Sequence, residues 1–358
     1  MPDSIDFAAH KLNRYPSKHA KELRAWDAAD EYLAQMILPN EPVLLVNDGF
    51  GALHLAAKHH AAAGIYHLND SWCSLKAIEL NIENEAAPIM YKGQDITYAL
   101  VKLPKSISLL QAQLQLLAGS LKRPLKLFFS GMQKHVSNGH LDVLKAMCGA
   151  VEYLPTQRKA RLYQVVLSPQ IFAQSPIEVP VPELNLKLIN CAGVFAEQKI
   201  DIGSRFFIEN FTLLPKAKRV ADVGCGNGLL SLAYCNMHPD SELFLYDESL
   251  AAIQSAKLSF QANFPNQKVS ITHHDGLADI AEQFDLILIN PPFHQQTTVM
   301  TDIALSMFAQ AKQCMTSTSE LWIVANRHLE YQRDLKKWFK RVECIAQNTK
   351  FIVIKAML

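Results

Sequence analysis

The stretch Val220-Ala-Asp222-Val-Gly224-Cys-Gly226-Asn-Gly228-Leu-Leu230 reads as a strand that breaks into glycines and resumes as a helix. Glycines at a strand-to-helix turn let the backbone bend tightly and approach a ligand closely. The spacing G-x-G-x-G is one residue shorter than the dinucleotide fingerprint G-x-G-x-x-G. About twenty-five residues on, the strand Leu243-Phe-Leu-Tyr-Asp247-Glu248 ends in acids, where an α/β nucleotide fold binds a ribose diol. A third strand, Val269-Ser-Ile-Thr-His-His-Asp275, ends in another acid. Asp222, Gly224, Gly226, Gly228, Asp247 and Asp275 are therefore the candidate nucleotide-cofactor contacts.

The apolar run Phe284-Asp-Leu-Ile-Leu-Ile289 reads as a buried strand and stops at Asn290-Pro291-Pro292-Phe293-His294. Neither proline can donate to a sheet ladder, and Pro291 drives Asn290 toward extended backbone. The result is a stiff elbow bearing an amide, a carbonyl and an aromatic ring. The Asn290 oxygen and a proline carbonyl can accept both N–H bonds of a planar amine while Phe293 stacks on its ring. Asn290, Pro291, Pro292 and Phe293 are the candidate catalytic residues, with Asn290 also bordering the cofactor. On the residues alone the chemistry reaches no further than methylation or binding of a planar nitrogen group.

The first half echoes the second. Val43-Leu-Leu-Val-Asn47-Asp-Gly49-Phe-Gly51 lies on the glycine stretch, with Asn47 at the position of Gly224. Ile65 to Ser71 lies on Leu243 to Ser249, and Ala99 to Lys105 on Ile287 to Phe293. Leu125 to Phe129 and Arg161 to Val166 continue the correspondence with Leu321 to Ala325 and Lys350 to Ile354. A long internal repeat means two copies of one fold. In the first copy Asn69 stands for Asp247, Lys102 for Asn290 and Lys105 for Phe293, so it lacks the parts for catalysis. Its cations Lys102, Lys105, Arg158, Lys159 and Arg161 instead suit phosphate contact. Residues 330–341 read as a helix whose Lys336 and Lys337 offer a similar face, with Leu335 and Phe339 turned inward.

The expected class is α/β, with two tandem Rossmann-like methyltransferase domains of which the first is degenerate. The expected boundaries are 1–167 for the first domain, 168–185 for a proline-rich linker and 186–358 for the catalytic domain. The chain has 358 residues and a net charge of +1, so attraction to nucleic acid has to be local rather than global. Seven cysteines without a C-x-x-C pair indicate neither a disulfide framework nor a zinc site. No leader and no long apolar run is visible, so the expectation is a soluble cytoplasmic protein without metal, membrane or obligate protein partner.

The glycines, strand-end acids and N-P-P-F elbow resemble class I S-adenosylmethionine-dependent methyltransferases. The order of silent sheet, prolines, and live sheet with N-P-P-F-H resembles, over essentially the whole chain, the ribosomal RNA guanine-N2 methyltransferases of the RsmC/RlmG type. The runs 25–33, 290–296 and 324–331 are most similar to the large-subunit branch. The resemblance implies S-adenosylmethionine as cofactor, 23S ribosomal RNA as partner and substrate, and the exocyclic N2 of one guanosine as the target. Rival readings are a 16S rRNA guanine-N2 enzyme, a protein-glutamine N5 or adenine-N6 methyltransferase and, from another class, an NAD-linked oxidoreductase or noncatalytic nucleotide-binding module.

Overall fold

In a computed structural model, residues 5–17, 23–82, 87–173, 176–292 and 298–358 are described, with side chains of 298–301 excepted. The chain divides into two compact units, Met1–Gln174 and Ser175–Leu358.

The first unit is built on six strands: β1 (Pro42–Val46), β2 (Gly64–Leu68), β3 (Tyr98–Lys102), β4 (Leu125–Met132), β5 (Glu152–Gln157) and β6 (Ala160–Leu167). Their order is β2-β1-β3-β4-β6-β5. The first four run parallel, and β6 and β5 are antiparallel additions at one edge. A parallel sheet needs cover on both faces. Along β1, Val43 and Leu45 enter one apolar cluster and Leu44 and Val46 the opposite one, as a period of two demands.

The second unit opens with a hairpin of β7 (Ile177–Val181) and β8 (Leu186–Asn190). Its main sheet comprises β9 (Arg219–Val223), β10 (Glu242–Asp247), β11 (Val269–His273), β12 (Phe284–Ile289), β13 (Met315–Asn326), β14 (Arg341–Gln347) and β15 (Phe351–Met357). The order β11-β10-β9-β12-β13-β15-β14 repeats that of the first unit with one strand added beside β10. In the first unit that place holds a single parallel bridge between His67 and Met90. The two units thus share strand order and direction.

Two expectations are corrected. The segment 168–185 is not simply a linker: Ile177–Val181 is a strand, and Val179 and Val181 are buried in the core of the second unit. Pro180 is tolerated because the hairpin is two-stranded. The outer edge of β8 lies along the helix Leu250–Asn263. There Asn263, Ser259 and Ser255, spaced four apart on one helical face, accept the N–H groups of Lys187, Ile189 and Cys191 at 3.0, 2.8 and 2.8 Å. Second, the helix expected over 330–341 is confined to Tyr331–Leu335, followed by turns through Phe339. Arg341 begins β14, which adds to β15 because Val342, Ile345 and Ala346 cover apolar surface there. Leu335 and Phe339 do face inward.

Candidate active site

Strands β10, β9 and β12 end level with one another, with Tyr246, Val223 and Ile289 in register. The residues that follow each strand therefore meet at one edge of the sheet. Gly224 sits at φ +71°, Gly226 at +54° and Gly228 at +83°, a left-handed turn that side chains rarely adopt. A Cβ on Gly226 would meet nothing within 4 Å, so the loop faces open space at that point. Gly228 is the other kind of glycine: a Cβ there would lie 3.3 Å from Ala256 Cβ, so it serves helix packing.

Asp247 is fixed by its neighbours. Its Oδ2 accepts the Gly226 N–H at 2.8 Å and its Oδ1 the Ser249 N–H at 2.9 Å. The carboxylate is thus set against the glycine loop at the strand end. Asp222 lies deeper, almost wholly buried, with Oδ2 accepting the Ser231 hydroxyl at 2.7 Å and Oδ1 without a partner among the described residues. Burial, aided by the charge of Asp247, pushes its carboxyl up to about 7. Asp275 follows β11 at the same edge, half-buried. The buried Cys225 thiol is pushed well above its ordinary value by burial, so it stays protonated and offers no nucleophile.

Asn290 is held by groups that no sequence spacing indicated. Its Nδ2 donates to Ser204 Oγ at 2.8 Å and to Asp201 Oδ2 at 3.2 Å. A carboxylate only accepts, so the amide nitrogen must face Asp201 and the oxygen must point the other way. That oxygen is shielded from solvent and has no partner among the described residues. Asp201 in turn caps the helix Ile202–Ile208 by accepting the Ser204 N–H at 2.8 Å. The space between them is tight: a Cβ on Gly203 would lie 3.0 Å from Asp201 Oδ2. The pattern D-x-x-S before a short apolar helix is a capping signature, but nothing in it points to a residue nearly ninety positions away. Asn326, ending β13 beside β12, carries another buried side-chain oxygen without a partner among the described residues. Pro291 is buried and Pro292 exposed, while Phe293 lies outside the described residues.

The cationic candidates fare differently. Lys102 is not available to phosphate: its ammonium is held between Asp27, at 3.0 Å, and Asp30. Its pKa is raised because the two carboxylates outweigh the opposing effect of burial. The expectation failed because α1 (Ala28–Ala34), whose cap is Asp27, packs over the end of β3. Lys105 and Lys159 are exposed, Arg161 is half-buried in β6, and Arg158 pairs with Glu31 at 2.7 Å. Lys336 is exposed and Lys337 pairs with Asp334.

Comparison with known proteins agrees with this division. Residues 185–355 match the Methyltransferase small domain family, and residues 3–169 match the RLMG N-terminal domain family. The chain is 36% identical over 367 residues to the ribosomal RNA large subunit methyltransferase G of Pseudomonas aeruginosa, with 98% of each covered. The chain belongs to the ribosomal RNA large subunit methyltransferase G family. The protein of that name from Psychromonas ingrahamii is 33% identical, covering 97% of this chain and 96% of its own. A solved 16S rRNA N2 G1207 methyltransferase, RsmC of T. thermophilus, shares the fold at a TM-score of 0.78 and 19% identity over 93% of both chains. This family member is thus a ribosomal RNA methyltransferase, with its methyltransferase domain in the second unit. Among the described residues no helix is long and apolar enough to cross a membrane. Nor, among them, does any group of three or more His, Cys, Asp or Glu stand where it could hold a metal ion.

Proposed function

We propose that the second unit methylates the exocyclic N2 of a guanosine in 23S ribosomal RNA. The observation that carries this is the orientation of Asn290: its nitrogen is spent on Asp201 and Ser204, and its oxygen is a buried acceptor without a donor among the described residues. An unpaired buried acceptor costs on the order of 1–3 kcal/mol, so a substrate N–H placed there recovers that energy. The rRNA substrate of the relatives and the guanosine bound by the T. thermophilus enzyme support a base amine as that donor.

S-adenosylmethionine is the methyl donor, and it supplies a sulfonium methyl group for in-line displacement. The residues present fit it. Gly226 leaves backbone open to a close approach, Gly224 makes its left-handed turn beside Met307, and Asp247 is oriented at the strand end where ribose hydroxyls would bind. Asp275, half-buried after the next strand, is the proposed partner for the adenine edge.

A guanine N2 is a weak nucleophile because its lone pair is delocalised into the ring. Accepting both of its N–H bonds, by Asn290 Oδ1 and the Pro291 carbonyl, favours a pyramidal nitrogen whose lone pair points out of the ring plane. The bonds strengthen as the amine becomes cationic, so they act in the transition state more than in the ground state. The extra proton leaves to solvent after transfer. Asp201 and Ser204 position the amide and touch no reacting atom.

Incubation of undermethylated 23S rRNA with labelled S-adenosylmethionine tests the reading. N2-methylguanosine at a single mapped position is the expected product. Label on another base, or on protein but not rRNA, rejects it.

A further inference from the structure

The first unit contains a cavity of about 480 Å³, walled by the turn Phe7–Ala9, by α1 and by the tip of the β5–β6 hairpin. Its aromatic wall is Trp26, whose ring centroid is 5.9 Å from that of Phe7, with the Arg24 guanidinium 5.7 Å over the indole. Glu31 lies on the polar side, accepting from Trp26 Nε1 at 3.2 Å and paired with Arg158. The volume is in the range of pockets that take one nucleoside-sized group. An aromatic face beside guanidinium groups is the usual platform for an unstacked base and its phosphate.

A second observation concerns the hairpin tip. Arg158 and Lys159 occupy consecutive left-handed positions, at φ +47° and +66°. Such two-residue turns favour Asn-Gly or Gly-Gly, because other side chains are strained there. The strained tip is nonetheless held firmly: Gln133 N–H donates to the Lys159 carbonyl at 2.8 Å, and the Tyr32 hydroxyl donates to the Pro155 carbonyl at 2.6 Å. Arg158, which lines the cavity, and the exposed Lys159 next to it are thus kept where glycine would be easier to accommodate.

We infer that this cavity binds a single unpaired RNA nucleotide, its base on Trp26 and its phosphate on Arg158 and Lys159. The inference rests on ribosomal RNA being the substrate, and adds a nucleotide site remote in sequence from Asn290. Glu31 anchors Arg158 in the free protein and offers a carboxylate to a base N–H.

Fluorescence anisotropy of a short unstructured labelled oligoribonucleotide, with the full-length protein at low salt, tests it. Trp26→Ala should weaken binding about tenfold, and Trp26→Phe by much less, because a smaller ring still stacks. S-adenosylmethionine affinity should be unchanged in both. Arg158→Gly with Lys159→Gly gives the discriminating readout: relief of the left-handed strain should raise the melting temperature while RNA affinity falls. Affinity equal to wild type in the double glycine variant, or no binding of the oligoribonucleotide by wild type, overturns the inference. Should Trp26→Ala fail to fold, the glycine variant alone decides. Because this assay needs no methyl transfer, rRNA methylation with unchanged oligonucleotide binding refutes only the cavity. Binding lost as expected, in a protein that makes no N2-methylguanosine, refutes only the proposed reaction.

Discussion

The two units carry the same strand order, and the difference between their carboxyl edges is one of satisfaction. In the second unit Gly226 donates its N–H to Asp247, and buried oxygens of Asp222, Asn290 and Asn326 have no partner among the described residues. In the first, Asn47 keeps the left-handed turn at φ +59°, and its amide pairs reciprocally with Gln113 at 3.0 and 2.8 Å. Asp48 turns inward to accept the N–H groups of Gly51 and His54, and Asn69 donates to the Asp48 carbonyl at 2.8 Å. Lys102, standing where Asn290 would, is neutralised by Asp27 and Asp30. The first edge has spent most of its polar groups on itself, although the buried Ser130 hydroxyl, at the position of Asn326, also lacks a partner among the described residues. The other has kept acceptors in reserve, at a cost in stability that a bound ligand can return.

The comparison breaks most readily at Asn290. Asn290→Ala is expected to lower the single-turnover methylation rate roughly 10²–10³-fold, as loss of a transition-state hydrogen bond does, with cofactor affinity little changed. A near-normal rate by rapid quench would reduce the unpartnered oxygen to an accident of packing.

Exchanging the strand-end residues sharpens it. Asp247→Asn leaves an amide N–H facing a backbone N–H, and S-adenosylmethionine affinity should fall about ten- to a hundredfold, equivalent to roughly 1–3 kcal/mol. The reciprocal Asn69→Asp should create no cofactor site and should lower the melting temperature, since it loses the bond to the Asp48 carbonyl. Calorimetry and thermal melts read both; cofactor binding gained by Asn69→Asp would mean the first edge is closed by one residue only.

Opposite pH responses are expected of the two units. Burial, with His54 beside it, holds His67 down at about 3, so the folded imidazole stays neutral while the unfolded one charges below its ordinary value. Its contribution is present above about pH 6.5 and is lost on acidification, about 2 kcal/mol by roughly pH 5. Asp222 is raised, so its contribution is present below the ordinary carboxylate range and is lost as pH rises through about 7. Asp222→Asn should therefore stabilise the second unit by on the order of 1–3 kcal/mol above neutrality and not near pH 4. Melts across pH that show the same sign for both groups would contradict this.

The smallest effect concerns Lys102. Lys102→Met should change rRNA affinity less than about twofold, because its charge is already compensated, although it leaves Asp27 and Asp30 without their cation. A large loss of binding with an unchanged melting temperature would return Lys102 to the RNA surface.

The sheets were legible because their signals are local. Phe284 to Ile289 is continuous and apolar, and the glycine turn of residues 224–228 is written in a few consecutive residues. The place of Asp247 at the end of β10 was legible for the same reason. What the sequence concealed depends on contacts across distance. Asp201 and Ser204 meet Asn290 only after the helix Ile202–Ile208 docks, and Lys102 meets its carboxylates only when α1 covers β3. The segment at Ile177 misled because prolines dominated its reading, whereas a short two-stranded hairpin accommodates them. The helix expected after Glu330 failed because apolar positions at 335, 339, 342 and 346 fit a helix as well as a turn and a strand.

That hairpin decides where the molecule can be cut. A catalytic fragment begun at Leu186 would discard Val179 and Val181 and strip β8 of its only ladder partner among the described strands. The exposed strand edge would be a template for pairing with other copies. A fragment begun upstream of Ile177 keeps the hairpin, and with it the packing against the helix Leu250–Asn263 that starts immediately after Ser249. Since the Ser249 N–H helps to orient Asp247, the excision point bears on the proposed cofactor site, some seventy residues downstream of the cut.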